Sequence, residues 1–423
     1  MKSNKASPES NPRWRGLIKL LYPGIGIKRW LLIGGAGVAI WSIGVAFLLR
    51  KIFDVRFPEF LPSHLEGIVL VICSIGLISL SVVKLYNSIG PIVLSHGNID
   101  SLAETIYARR SRGRGPKIVA IGGGTGLSVL LSGLKAYTEN LTAIITVADD
   151  GGSSGRLRRE LGVLPPGDFR NCIVAMSNSE SLLPELFQYR FSEGDGLKGH
   201  SFGNLFIVAM SNITKSFDQA LIESSRVLAV HGQILPSTVD NVKLSAQLSD
   251  GNTIHGESKI TEYGGQIERL TIHPSTVEVF GPSADAILEA QMIVIGPGSL
   301  YTSILPNLCV PGISEALGKT TAKKVYVCNV ATQQGETTGY SVADHLEAIQ
   351  LHTSDTLIDF VIANSDVNSD QTKSPNQTVI NDDRPLVNAV LERSPLVDPN
   401  YPLRHDAKRL AEAIISMYDR SVN

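Results

Sequence analysis

The chain has 423 residues and a net charge of −2 at neutral pH, so nothing in its overall charge suggests a nucleic-acid binder. Cys73, Cys172, Cys309 and Cys328 are dispersed without a CxxC pair, which gives neither a zinc site nor a disulfide framework and fits buried free thiols in a reducing compartment. Residues 1–29 form a polar, basic tail. Trp30–Leu49 and Gly67–Val83 are uncharged apolar runs separated by a short mixed loop. Each is close to the roughly 20 residues that span a bilayer, so a two-helix transmembrane hairpin is expected over 30–86. A cleaved signal peptide is disfavoured by the late start of the first run and by the second run behind it. Lys and Arg concentrate before the first run and after the second, which predicts both termini in the cytoplasm and the protein in the inner or plasma membrane. Residues 87–115 read as a linker ending in a basic, glycine-containing joint, and 116–423 as a separate domain.

From Lys117 onward, short apolar runs alternate with helical stretches, the pattern of a parallel α/β sheet. Ligands of such sheets sit outside the carboxyl ends of the strands, so the loop after each run matters most. KIVAIGGGTG at 117–126 is strand, glycine turn and helix start. Glycine lets the backbone come close to a phosphate, and a helix N-terminus offers N–H groups to it. The lysine of a P-loop is missing, and a plain tight turn remains the competing reading.

A second strand over 143–148 is followed by Asp149-Asp-Gly-Gly-Ser-Ser-Gly-Arg156 and by Arg158 and Arg159. Its carboxylates could hold Mg²⁺ or orient a hydroxyl, and its arginines could meet phosphate; the competing reading is a surface turn. PPGDFRN at 165–171 places Asp168 as a fair helix N-cap, a role that does not extend to Arg170 and Asn171. GHSFGN at 199–204 carries Ser and His side by side, but no G-x-S-x-G elbow is present and binding is the favoured role. Residues 233–280 read as hairpin-like β structure, a subdomain or an antiparallel extension of the sheet. The parallel pattern then resumes, with Gly296-Pro-Gly-Ser-Leu-Tyr-Thr-Ser303 and Asn329–Thr337 after further strands. Residues from 368 are polar and loop-like up to a final helix over 405–418. The fold class is therefore α/β: a Rossmann-like, mostly parallel sheet with a β-rich insertion, preceded by the hairpin.

GGGTGLS at 122–128, VADDGGSSGRLR at 147–158, PPGDFRN at 165–171, GHSFGNL at 199–205 and GPGSLYTSILPNL at 296–308 resemble, in order, the motifs of the YvcK-type gluconeogenesis factors. These proteins share a fold with the CofD-type 2-phospholactate transferases. The resemblance covers essentially all of 116–423. It implies binding of a UDP-sugar, UDP-N-acetylglucosamine above all, in a regulatory protein that supports cell shape and envelope synthesis during gluconeogenic growth. The alternative it implies is a CofD-like transferase that moves a phosphorylated group with Mg²⁺. Carried onto this chain, the ligand loops fall on Gly123, Gly124, Thr125, Asp149, Asp150, Ser153, Ser154 and Arg156, then on Asn171, Ser201, Asn204 and Ser299. Asp149 and Asp150 are the candidate catalytic residues and Asp150 the candidate metal ligand, with Mg²⁺ the one cofactor left open. The expected partners are the UDP-sugar, the membrane through the hairpin, a second copy of the chain and a component of envelope synthesis, with no nucleic acid.

Overall fold

A computed structural model of the chain describes residues 27–53, 63–93, 112–178, 182–365, 378–380 and 384–422. The chain divides into two units, 1–111 and 112–423.

In the first unit, helices α1 (Ile27–Phe53) and α2 (Ser63–Val93) pack against each other. Small residues make the close approach: a Cβ on Gly37 would meet Ile78 at 2.9 Å, and one on Gly44 would meet Leu70 and Val71 at 3.1 Å. Ser81 Oγ donates to the carbonyl of Trp30 at 2.7 Å. The transmembrane hairpin expected over 30–86 is not supported, because among the described residues no helix is long and apolar enough to cross a membrane. The two runs include Gly34, Gly37, Gly44, Ser74, Gly76 and Ser81, which add little apolar surface and, at several positions, serve the contact between the helices. The basic tail before residue 27, the loop over 54–62 and most of the linker lie outside the described residues.

The second unit is built on seven parallel strands. In chain order these are β1 (Ile118–Gly122), β2 (Leu141–Ile145), β3 (Gln233–Pro236), β7 (Met292–Ile295), β8 (Lys323–Val327), β9 (Phe360–Asn364) and β10 (Val390–Ser394). They lie side by side in the order β10-β9-β8-β7-β1-β2-β3. The central strands are apolar because helices cover both faces: every residue of β1 and β7 is buried. From β1 the chain winds outward through β2 to β3, then returns to β7 and winds outward the other way, so the strand order reverses between β1 and β7. That reversal opens a crevice at the carboxyl ends of these two strands.

The helices that bear on it are α3 (Gly124–Leu134), α4 (Gly152–Leu161), α5 (Gly167–Met176), α6 (Leu183–Gln188), α7 (Phe202–Thr214) and α8 (Phe217–Val227). Between β3 and β7 lies a separate antiparallel sheet, β5-β4-β6, made of β4 (Lys243–Leu248), β5 (Thr253–His255) and β6 (Ile267–His273), with α9 (Glu257–Tyr263) between the last two. Its alternation is clear: Leu244, Ala246 and Leu248 of β4 face Ile267, Leu270 and Ile272 of β6 in the core. The last helix, α10 (Ala407–Val422), lays Leu410, Ala411, Ile414 and Met417 against α3, where a Cβ on Gly133 would stand 2.0 Å from the carbonyl oxygen of Ala407.

The parallel sheet with a β-rich insertion is the expected architecture. Three boundaries differ. β2 begins at Leu141 and ends at Ile145, so Thr146–Ala148 already belong to the loop. β3 is the edge of the main sheet rather than the start of the insertion, and its Pro236 is tolerated because an edge strand needs fewer ladder bonds. β10 and the short hairpin Val397–Asp398 with Tyr401–His405 fall in the stretch read as loop.

Candidate ligand cleft at the strand ends

The glycine turn lies in this crevice. Gly123 is extended and caps α3 without a side-chain bond, and Gly124 has φ of +63°, the left-handed region. Gly126 is required by proximity, since a Cβ there would stand 2.5 Å from the carbonyl oxygen of Pro297 in the loop after β7. Asn307 Nδ2 donates to the carbonyls of Gly122 at 3.0 Å and Ser303 at 2.7 Å. Asn329 brackets Gly298 from both sides, accepting from its N–H at 3.1 Å and donating to its carbonyl at 2.8 Å. Ser299 Oγ donates to Gln333 Oε1 at 2.5 Å. The two loops that flank the switch point are thus held edge to edge.

Acidic side chains crowd the same place. Asp168 is not the cap of α5, which starts on Pro166 with no side-chain cap bond. Instead its carboxylate crosses to the glycine turn, accepts from the Gly124 N–H, and places Oδ2 only 2.6 Å from where a Cβ on Gly123 would be. Burial, then the charge of Asp149, pushes its pKa up to about 6. Asp149 accepts from the Gly151 N–H at 2.9 Å, and its pKa is also raised, by burial first and then by Asp150. Asp150 has a different job: its two oxygens accept from the N–H groups of Glu257 at 3.0 Å and Ser258 at 2.9 Å, tying the loop after β2 to the start of α9. Glu257 is pushed up to about 8 by burial and then by the charges of Asp149 and Asp150. Glu336, buried, accepts from Tyr301 N–H, Thr302 Oγ1, Thr261 Oγ1 and Gln333 Nε2, and so joins the β7 loop, the insertion and the β8 loop.

Among the described residues no three acidic, histidine or cysteine side chains are arranged to hold a metal ion. The donor set of Asp149 and Asp168 instead suits an ion shared with a ligand's phosphates, the usual manner of Mg²⁺. Asp150, the expected metal ligand, has both oxygens engaged by amides.

A polar wall continues from these acids. Ser153 Oγ lies 2.8 Å from His200 Nδ1 and accepts from Asn204 Nδ2 at 3.1 Å. Burial and the Arg156 charge lower the His200 pKa, which favours the neutral ring beside the Ser153 hydroxyl. Ser154 Oγ accepts from the Gly167 N–H at 3.1 Å. Ser201 caps α7 through the Asn204 N–H and also accepts from Arg170 Nη1, while Arg170 Nη2 donates to Asn171 Oδ1 at 2.8 Å. Arg170 Nε and Asn204 Oδ1 are buried with no partner among the described residues.

Most of the residues expected at the site are therefore linked in one band, from Gly123 and Gly124 through Asp168 and Arg170 to Ser201, Asn204, Ser153, Ser154 and Asp149. Asn171 hangs on Arg170, and Ser299 on the facing loop. Thr125 is exposed at the start of α3, and Arg156 lies at the rim with Nη2 donating to the Lys198 carbonyl at 2.9 Å. Arg158 is spent on structure, with its Nη1 on the carbonyls of Val147, Ala148 and Asp149 and its other nitrogens on Asn241 and Val242. The sequence pattern passes over Glu257, because it lies after an antiparallel hairpin rather than a parallel strand. It undervalues Asp168, whose capping-like position hides a contact with the glycine turn. Two cavities flank the band. One of about 810 Å³ is lined by Tyr301, Glu336 and Tyr340, and one of about 800 Å³ by Asp150, Arg158 and Lys243.

A doubly wound parallel sheet with a glycine turn, hydroxyls and acids at its switch point defines a Rossmann-like α/β protein. Residues 118–411 match the family described as 2-phospho-L-lactate transferase CofD. A putative gluconeogenesis factor of Nostoc sp. is 45% identical over 95% of this chain and 92% of its own. The gluconeogenesis factor of Bacillus subtilis is 46% identical over 72% of this chain and 99% of its own. A crystal structure of a Bacillus halodurans protein superposes with a TM-score of 0.69 at 46% identity, covering 71% of this chain and all of that one. The chain belongs to the CofD family, in its YvcK-type gluconeogenesis-factor branch.

Proposed function

We propose that this chain is a regulatory protein that binds a UDP-sugar, UDP-N-acetylglucosamine above all, in the strand-end cleft and so serves cell shape and envelope synthesis during gluconeogenic growth. The observation that carries the reading is the pair of unmatched atoms in the polar wall, the donor Arg170 Nε and the acceptor Asn204 Oδ1. Buried polar atoms are rarely left unpaired without a ligand or water to meet them. A nucleotide sugar brings both complements, diphosphate oxygens that accept and hydroxyls that donate. The relatives carry the name gluconeogenesis factor, which accords with a role in gluconeogenic growth.

The second reading, a CofD-like transferase, is favoured by one feature: Asp149 lies near enough to Asp168 for its charge to be felt there, and each carboxyl has its charged form disfavoured. Asp149 and Asp168 are the residues that would hold an Mg²⁺ ion, which would relieve that repulsion and supply positive charge for phosphoryl transfer. Calorimetric titration of the full chain with UDP-N-acetylglucosamine, with Mg²⁺ and then with EDTA, separates the readings. Binding that persists in EDTA without turnover supports the sensor. Binding lost in EDTA, with detectable transfer of a phosphorylated group to a deazaflavin acceptor, establishes the transferase.

A further inference from the structure

The cavity of about 800 Å³ opens between α4 and the insertion, away from the glycine turn. Arg158 and Arg159 of α4, Lys243 of β4, His255 of β5, Lys259 of α9 and His273 of β6 all line it. Strand register explains the gathering. Lys243 pairs with His273 and Ser245 with His255 across the antiparallel ladder, and residues 243 and 245 share a face, so these side chains project from the same side of the sheet. Ser245 Oγ lies 2.7 Å from His255 Nδ1, which leaves the other ring nitrogen to meet a ligand.

The charge on this surface is unbalanced. The carboxylate that lines the cavity, Asp150, already accepts from two backbone amides. Lys243 and Lys259 form no salt bridge among the described residues. Arg158 is fixed on carbonyls and contributes its field, whereas Arg159, Lys243 and Lys259 are exposed and can turn their donors inward. The whole chain is slightly acidic, so this concentration of positive charge is local. Basic groups that outnumber the acids beside them, here Asp150 alone among the lining residues, are stabilised by an anion that enters. The volume lies in the small-molecule range, about 300–1,000 Å³, rather than forming the extended track a nucleic acid follows.

We infer that this cavity is a second ligand site, distinct from the strand-end cleft, for a small molecule that carries a diphosphate or an equally charged pair of phosphates. It does not rest on the UDP-sugar reading. Asp150 lines it while the neighbouring Asp149 belongs to the cleft, so an anion bound here bears directly on the loop that shapes the other site.

The test is equilibrium binding of inorganic pyrophosphate to the full chain, without added metal and at constant ionic strength. The parent, a Lys243→Gln/Lys259→Gln double variant and a Lys243→Arg/Lys259→Arg double variant are compared, each with its thermal unfolding measured. The inference predicts saturable binding by the parent and retention by the arginine pair. The glutamine pair should bind about ten-fold or more weakly, the scale of one or more charge-assisted contacts, with unfolding unchanged. Excess UDP-N-acetylglucosamine should leave the pyrophosphate bound. Absence of saturable binding, an unchanged Kd in the glutamine pair, or competitive displacement by the UDP-sugar would each overturn it.

Discussion

Replacing Asp168 by Asn tests whether the glycine turn carries a charge the fold itself disfavours. The carboxylate is pressed against Gly123 and Gly124 and feels the charge of Asp149. Its pKa rises from 3.8 to about 6. At 1.36 kcal/mol per unit, ionising it in the native state costs about 3 kcal/mol more than in the unfolded chain, an upper figure because part of the side chain reaches solvent. The sign comes from the direction of the shift. The folded state holds this proton more tightly, so the native state is relatively favoured at low pH and loses that advantage as pH rises through 6. Asn keeps an acceptor for the Gly124 N–H and carries no charge. Urea unfolding should therefore find Asp168→Asn more stable than the parent by about 2–3 kcal/mol at pH 8, with the gap closing toward about pH 3, where the parent carboxyl is protonated in both states. A variant less stable than the parent at pH 8, or a gap that does not change with pH, would refute the account of strained charge at the turn. Such a gain in stability should come with weaker ligand binding, since functional sites commonly hold unfavourable charge.

Asp150→Ala should lower stability by about 1 kcal/mol, as loss of a helix cap does, while UDP-sugar affinity in calorimetry changes little. Gly126→Ala should destabilise by about 1–3 kcal/mol in urea unfolding, because the new Cβ meets the Pro297 carbonyl oxygen at 2.5 Å and the backbone must yield. Glu257→Gln should raise the melting temperature at pH 9, above the folded pKa of about 8, and have no effect near about pH 3, where the parent carboxyl is neutral in both states. A Glu257→Gln protein that gains nothing at pH 9 would mean its carboxyl is better solvated than its burial implies.

The parallel sheet was legible because its strands are short apolar runs with polar loops at one end, and burial on both faces demands that pattern. The segments after β1, β2 and β7 were legible for the same reason; the first two supply Gly123, Gly124, Asp149, Ser153 and Ser154 of the band, and the third supplies Ser299 facing it. The partner each polar atom would find was not legible. Asp149 and Asp150 are neighbours in sequence and alike in chemistry, yet one turns to the cleft and the other holds α9, a difference set by an insertion more than 100 residues away in the chain. Asp168 looks like a cap because helices start that way, and the contact that removes it from that role is tertiary. β10 escapes notice because Val390–Ser394 carries Glu392 and Arg393 at the sheet edge, where one side is not covered and the apolar signal fades. For the helical pair at the start, the two uncharged runs predict a membrane hairpin, but among the described residues no helix is long and apolar enough to cross a membrane.

The strand-end site is tested most directly by a crystal structure of the full chain or of residues 112–423 with UDP-N-acetylglucosamine. The account predicts the diphosphate between the Gly123–Thr125 turn and the Gly298–Ser299 loop, with ligand atoms completing Arg170 Nε and Asn204 Oδ1. Ligand density confined to the cavity beside Tyr301 and Tyr340, or to the basic cavity beside Lys243, with the glycine turn empty, would contradict it.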